Sequence, residues 1–243
     1  GTVVSGSGVG PYSVQWNAAA SDQVSLTVTD AGCTNSTTFN VTINPIPNSL
    51  FTATPSVCTG DNVTLTYTGS ASAGANYVWD FNGGTSGGGS QGPFTVTWNT
   101  PGTYNVSLIV TENGCTSIQT SNAVVNNPIP DAQISATPGL CIGEQNTISY
   151  SGTAVAGATY NWTFGTGTVV SGSGAGPYNV QWAAAGNETV NVTVTQSGCT
   201  DNASYSVIVN AIPTSLFNLP PSICAGEPFD VNYTGTSGNA ANF

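Results

Sequence analysis

All-β, built from tandem antiparallel sandwiches, is the fold class this sequence predicts, and three observations predict it. Short alternations of apolar and polar residues recur along the chain, the mark of strands with one buried face. Gly, Pro and Asn punctuate them, with 30 glycines and 14 prolines in 243 residues, and no segment carries apolar residues at helical spacing. The whole pattern also repeats, so a single module decides the architecture.

The repeat is read directly. GTVVSGSGVGPYSVQW at residues 1–16 returns as GTVVSGSGAGPYNVQW at 167–182. Half of that offset is the period: Cys58, Cys141 and Cys224 stand 83 apart, as do Pro47, Pro130 and Pro213, while Cys33, Cys115 and Cys199 follow at 82 and 84. The spacing predicts complete modules at 47–129 and 130–212. They are flanked by the C-terminal part of a module at 1–46 and the N-terminal part of another at 213–243. Asn44-Pro-Ile-Pro47, Asn127-Pro-Ile-Pro130 and Asn210-Ala-Ile-Pro213 mark the joins. Proline fixes φ and favours extended backbone, so these linkers are brief and stiff and the modules are expected in an end-to-end array.

Within the module starting at Pro47, strands are expected near 50–54, 62–67, 77–81, 94–98, 103–111 and 116–125. Asn113-Gly114 between the last two is a strong hairpin signal. About seven short strands and no helix describe an antiparallel sandwich of immunoglobulin type. Between Trp79 and Trp98 a Gly-rich stretch replaces the TVVSGSG motif of the neighbouring modules, the pattern of an alternating array.

Composition removes most chemistry. The chain has no Lys, Arg or His and a formal charge of −11, where average usage gives about thirty basic residues. There is no imidazole base, no activated nucleophile pair, no Schiff-base amine and no cationic clamp for phosphate. A polyanion has nothing to bind, so nucleic acid is excluded as a partner. The eleven acids, Asp22, Asp30, Asp61, Asp80, Glu112, Asp131, Glu144, Glu188, Asp201, Glu227 and Asp230, show no metal-loop spacing. The expectation is no enzyme activity in this chain. No run of eighteen apolar residues offers a membrane span. Freedom from tryptic cleavage and indifference to salt are two readings of the missing basic residues, and sequence does not separate them.

Tyr77-Val-Trp-Asp-Phe81, followed by Pro101-Gly-Thr-Tyr-Asn-Val-Ser-Leu-Ile-Val-Thr111, resembles the PKD domain. Tyr160-Asn-Trp-Thr-Phe164, Gly176-Pro-Tyr-Asn-Val-Gln-Trp182 and Ser197-Gly-Cys-Thr200 are similar to the PKD-like variant of large surface proteins of Bacteroidetes-type bacteria. The sequence departs from that pattern where Asp80 becomes Thr163. The resemblance implies a secreted or cell-surface stalk, adhesin or filament. Its alternative is a spacer or glycan-binding region of a secreted multidomain hydrolase. Neighbouring copies or modules of the same protein are the expected partners, with surface glycans as a further class.

The five Trp residues, Trp16, Trp79, Trp98, Trp162 and Trp182, are expected in the cores, since a small sandwich needs large apolar side chains to fill it. Exposed indoles would instead favour a glycan-binding face. The six cysteines, with no His beside them, point to disulfides in an oxidising compartment. Cys58, Cys141 and Cys224 share a C-x-G-D/E pattern, whereas Cys33, Cys115 and Cys199 follow the hairpin turn. In an immunoglobulin topology those two places lie about 30 Å apart for strands of nine residues, and a disulfide needs Cα atoms within about 7 Å. A cross-module staple, Cys58 to Cys199, is therefore favoured over the pairs Cys58–Cys115 and Cys141–Cys199. The acid of C-x-G-D/E reads as a turn acid. No cofactor is expected, and calcium at the module joints is the alternative.

Nine N-x-S/T sequons, at Asn35, Asn40, Asn62, Asn105, Asn161, Asn187, Asn191, Asn202 and Asn232, arise by composition in an Asn- and Thr-rich chain. The chain begins after the third strand of one module and stops at the start of that strand in another. A window of a longer array is the expected reading, and completion of one molecule by the next through strand addition is the alternative.

Overall fold

The computed structural model describes residues 1–86 and 89–236, and every regular element in it is a strand. Residues 1–46 form the antiparallel pair β1 (Thr2–Ser5) and β2 (Ser13–Gln15) and the long hairpin of β3 (Ala20–Asp30) and β4 (Cys33–Ile43). The hairpin turns at Ala31-Gly32, where both residues have positive φ, 48° and 86°. That geometry matches the right-handed twist of the flanking strands. The same turn recurs at Asn113-Gly114 and Ser197-Gly198.

The module that follows supplies β5 (Phe51–Ala53), β6 (Ser56–Cys58), β7 (Asn62–Tyr67), β8 (Asn76–Asp80), β9 (Phe94–Thr97), β10 (Gly102–Glu112), β11 (Cys115–Thr116) and β12 (Thr120–Asn127). One sheet runs β5-β7-β9; the other runs β11-β10-β12-β6, with β8 also paired to β10. Alternate residues of facing strands fill the space between them. Val63, Leu65 and Tyr67 of β7 and Val106, Leu108 and Val110 of β10 are buried with Val96, Trp98 and Val124. Each such aliphatic side chain stabilises the fold by about 1.5–3 kcal/mol.

Two features depart from the strands read in the sequence. β6 is an additional short strand, and it pairs parallel to β12 at the edge of an otherwise antiparallel sheet. Three residues after Pro55 carry no alternation that would signal it. The expected final strand is also broken into β11 and β12. Cys115 and Asn127 stand twelve residues apart, against eleven for Cys33 to Asn44 and Cys199 to Asn210. The extra residue is taken up at 117–119, where Ser117 Oγ accepts the Val110 N–H at 3.0 Å and the Ser117 N–H donates to the Val110 carbonyl at 2.8 Å.

The chain divides into two compact units, Gly1–Pro128 and Ile129–Phe243. The second contains β13 (Ile134–Ser135), β14 (Gly139–Cys141), β15 (Gln145–Tyr150), β16 (Thr159–Thr163), β17 (Thr168–Ser171), β18 (Tyr178–Gln181), β19 (Gly186–Gln196) and β20 (Cys199–Asn210). Its sheets run β13-β15-β18-β17 and β14-β20-β19-β16 around Ile148, Val180, Trp182, Val190 and Val207. β21 (Phe217–Asn218) and β22 (Asn232–Tyr233) form a final antiparallel pair. Where β17 pairs with β18, the described part of the Gly-rich stretch of the preceding module forms the isolated bridge Thr85 to Thr97. Gly87 and Gly88 lie outside the described residues.

A tyrosine closes the same corner in each copy. The Tyr67 hydroxyl donates to the Asn48 carbonyl at 2.7 Å and accepts the Ala71 N–H at 2.9 Å; Tyr150 does the same with Asp131 and Ala154 at 2.9 and 2.8 Å. Tyr233 reaches the Thr214 carbonyl at 2.6 Å. Two residues on, Gly69 and Gly152 are required by space, because a Cβ at either would meet that tyrosine and the carbonyl it bonds.

Candidate functional site

The aromatic residues serve the cores to different depths. Trp98 and Trp182 are buried, and each donates its indole N–H to a backbone carbonyl, Phe81 at 3.1 Å and Phe164 at 3.2 Å. Trp79 and Trp162 are half-buried and lie nearly parallel to Phe81 and Phe164, with centroids 5.9 and 5.8 Å apart. Trp16 is half-buried as well, and its indole N–H goes to the Asp22 carboxylate at 2.7 Å. Two of the five indoles are thus withdrawn from any ligand.

The carboxylates whose titration is displaced are all displaced downward. The Trp16 indole N–H, helped by the Gln23 backbone N–H, holds Asp22 at about 2. Hydrogen bonds from the Ser72 hydroxyl and N–H lower Glu112; those from Thr166 lower Glu188 in the same way. The Ala132 and Asn202 backbone N–H groups lower Asp201. A general acid in glycoside hydrolysis needs the opposite displacement. Among the described residues, no three of His, Cys, Asp and Glu gather to hold a metal ion.

What recurs with chemistry attached is the module joint. The C-x-G-D/E turn folds the same way in both complete modules. Asp61 N–H donates to the Cys58 carbonyl at 2.9 Å while its carboxylate accepts the Cys58 N–H at 3.4 Å; Glu144 repeats both bonds with Cys141 at 3.1 and 2.8 Å. The acid is therefore a turn acid that satisfies backbone donors. Short parallel pairing then sets each cysteine opposite an asparagine of the last strand, Cys58 opposite Asn127 and Cys141 opposite Asn210. The Thr59 and Ile142 N–H groups bond those asparagine carbonyls at 2.9 and 3.0 Å.

The hairpin cysteine Cys115 meets Asn44, the equivalent asparagine of the preceding copy. Asn44, Asn127 and Asn210 are successive copies at the 83-residue period. The Asn44 side chain donates to the Asn113 carbonyl at 3.3 Å, and the Cys115 thiol lies 3.8 Å from the Asn44 carbonyl. Sequence reading marked these asparagines only as linker residues. Their signal was the period itself, which sets an Asn before each Ile-Pro pair.

Cys58 and Cys199 are disulfide-bonded, and Cys33, Cys115, Cys141 and Cys224 carry free thiols. The within-module pairs Cys58–Cys115 and Cys141–Cys199 are therefore not formed.

A family model described as PKD domain matches residues 44–126, and one described as PKD-like domain matches 127–209. The chain carries two tandem PKD-type domains. Its β-sandwich modules are similar in structure to the N-terminal eight Ig domains of Down Syndrome Cell Adhesion Molecule, at TM-score 0.49 and 12% identity over 85% of this chain and 29% of that one. An I-band fragment of titin is similar at TM-score 0.43 and 11% identity, covering 70% and 68%. Fibronectin(III)-like modules of Clostridium thermocellum CbhA are similar at TM-score 0.32 and 15% identity, covering 67% and 95%. No curated protein matches the chain.

Proposed function

We propose that these PKD-type modules form an extended, non-catalytic stalk, adhesin or filament region outside the cell. The observation that carries this reading is the repetition of one sandwich and one joint, with the same Pro linker, turn acid and paired cysteine position in both complete modules. A repeated joint sets length and stiffness, which is what a spacer or fibre needs. Side-chain chemistry points the same way. There is no Lys, Arg or His, and the carboxylates Asp22, Glu112, Glu188 and Asp201 are all held on the ionised side. A disulfide fits an oxidising, extracellular compartment.

Electron microscopy of the native protein tests it. Rods or fibres with a repeat of one module length are the expected result. Short rods on a globular head would overturn the stalk reading and make the region a spacer of another domain.

A further inference from the structure

Two asparagines in the chain precede glycine, Asn82 and Asn113. Both pairs sit in exposed turns with nearly the same backbone: φ is 50° and 83° at Asn82-Gly83, and 49° and 81° at Asn113-Gly114. A Cβ added at either glycine would meet no atom within 4 Å, so space does not separate them. What separates them is the peptide plane that joins each asparagine to its glycine. The Asn113 carbonyl belongs to that plane and accepts the Asn44 side-chain N–H at 3.3 Å. The plane is also clamped between paired residues, Glu112 opposite Cys115 and Thr111 opposite Thr116. At Asn82, among the described residues, no hydrogen bond reaches the carbonyl of Asn82 or the N–H of Gly83. That turn is closed by the Gly84 N–H on the Phe81 carbonyl at 3.1 Å; β8 ends before it at Asp80, and the isolated bridge Thr85 to Thr97 follows it.

We propose that Asn82 is a site of self-modification, where deamidation through a ring imide converts the residue to aspartate and isoaspartate, and that Asn113 is protected from the same reaction. The Gly83 amide nitrogen attacks Asn82 Cγ. An N–Cγ bond forms, the Cγ–Nδ2 bond breaks, and Nδ2 leaves as ammonia with the proton from the Gly83 nitrogen. Water then opens the ring. Attack at Cγ restores the ordinary backbone with an aspartate side chain, and attack at the backbone carbonyl leaves the chain running through Cγ with a free carboxylate on the α carbon. One water is consumed and one ammonia released, with no oxidant. The attack needs the Asn–Gly plane to swing about the Cα–C bond, because a planar peptide moves as a unit. The Asn44 bond and the β10–β11 pairing resist that swing at Asn113. The modified turn lies against the core of its module: Trp98 donates its indole N–H to the Phe81 carbonyl, and Gly84 has no room for a Cβ against Val96 and Trp98. The isoaspartyl form inserts a methylene into that tight turn and adds a carboxylate two residues from Asp80. The PKD-like module is exempt, since Gly165-Thr166 and Ser197-Gly198 stand at the equivalent turns.

The chain of residues 1–243 is held at neutral pH and body temperature, then reduced and digested with chymotrypsin at intervals, and its peptides are resolved by liquid chromatography and mass spectrometry. The expected result is an aspartate and isoaspartate pair at Asn82 that accumulates more than about tenfold faster than at Asn113, the net worth of one or two restraining hydrogen bonds. In denaturant the two asparagines should convert at similar rates, because both precede glycine. Asn44→Ala, which frees the Asn113 carbonyl, should speed conversion at Asn113 by about two- to tenfold and leave Asn82 unchanged. Equal rates at the two asparagines in the folded chain overturn the proposal, as does conversion at Asn82 without isoaspartate, which no ring imide explains. A difference that persists in denaturant belongs to the neighbouring sequence and overturns it too.

Discussion

The hairpin β3–β4 and its copies β10–β12 and β19–β20 share one pattern and differ in what covers them. Val24, Leu26 and Val28 of β3 are 43, 64 and 55% exposed, while Val106, Leu108 and Val110 of β10 are fully buried, as are Val190 and Val194 of β19. Leu26 and Leu108 are the same residue type at equivalent positions. Their strands pair in the same antiparallel manner, around turns with nearly the same positive φ. Strand pairing and turn geometry are therefore properties of the hairpin itself. Burial is a property of the second sheet, β5-β7-β9 in one complete module and β13-β15-β18-β17 in the other. The indoles tell the same story. Trp98 and Trp182 donate to the carbonyls of Phe81 and Phe164, whereas Trp16 turns to Asp22.

The largest effect that could break this comparison is truncation of the two leucines. Leu108→Ala is expected to destabilise its module by about 2–5 kcal/mol. In a chain of residues 1–243, Leu26→Ala should stay within about 0.5 kcal/mol, as an exposed position does. Native-state hydrogen exchange of β10 and β3 amides reads both. Equal losses would mean that β3 is covered as tightly as β10 in solution.

Next in size is the tyrosine corner. Gly152→Ala drives a methyl group into the Asp131 carbonyl and the Tyr150 hydroxyl, and overpacking of this kind costs about 1–3 kcal/mol. Gly32→Ala, in the open turn of β3–β4, meets no atom within 4 Å, so its effect is limited to backbone conformation at φ 86°. Denaturant unfolding of the whole chain distinguishes them, and a midpoint unmoved by Gly152→Ala would show that the corner is not closed in solution.

Acid sharpens the contrast between the modules. Glu112, Glu188 and Asp201 have folded-state values below their ordinary ones. Their contribution is therefore present above an unfolded value of about 4 and is lost as pH falls through the folded one. Glu188→Gln should lower the stability of 130–212 at pH 7 and flatten its fall with acid, with little change once the pH lies below the folded-state value. Asp22 titrates at about 2, so Trp16 fluorescence should shift only near that pH, and the step should vanish in Asp22→Asn. A Trp16 transition near the ordinary Asp value of about 4 would show that the indole bond is absent.

The smallest expected change lies in the turns. Ala31 occupies the positive-φ position that Asn113 fills in the next hairpin. Ala31→Asn should therefore stabilise β3–β4 by no more than about 0.5 kcal/mol, seen as slower exchange of the amides flanking the turn.

Much of the fold was legible because its determinants are local. Alternation in NVTLTY made β7, Asn113-Gly114 made a hairpin, and the 83-residue spacing of Cys58, Cys141 and Cys224 announced the module. Ser56–Cys58 was not legible, since a three-residue edge strand is created by the partner it pairs with. Nor was the break in the final strand, although its signal was countable as the extra residue between Cys115 and Asn127. The joint was half legible. The cysteines and the Pro linker stood out, but Asn44, Asn127 and Asn210 gained meaning only when folding set cysteines beside them.

The sequence by itself determined the all-β class, the module and its hairpins, because period-two patterning and positive-φ turns act within a few residues. It also determined the absence of cationic chemistry, which is a matter of composition alone. The tertiary structure decided which of three equivalent valine-rich faces is buried, which indole meets a carbonyl and which a carboxylate, and which cysteines are oxidised. Those depend on what a second sheet or a neighbouring turn brings within a few ångströms, and no local pattern carries that information.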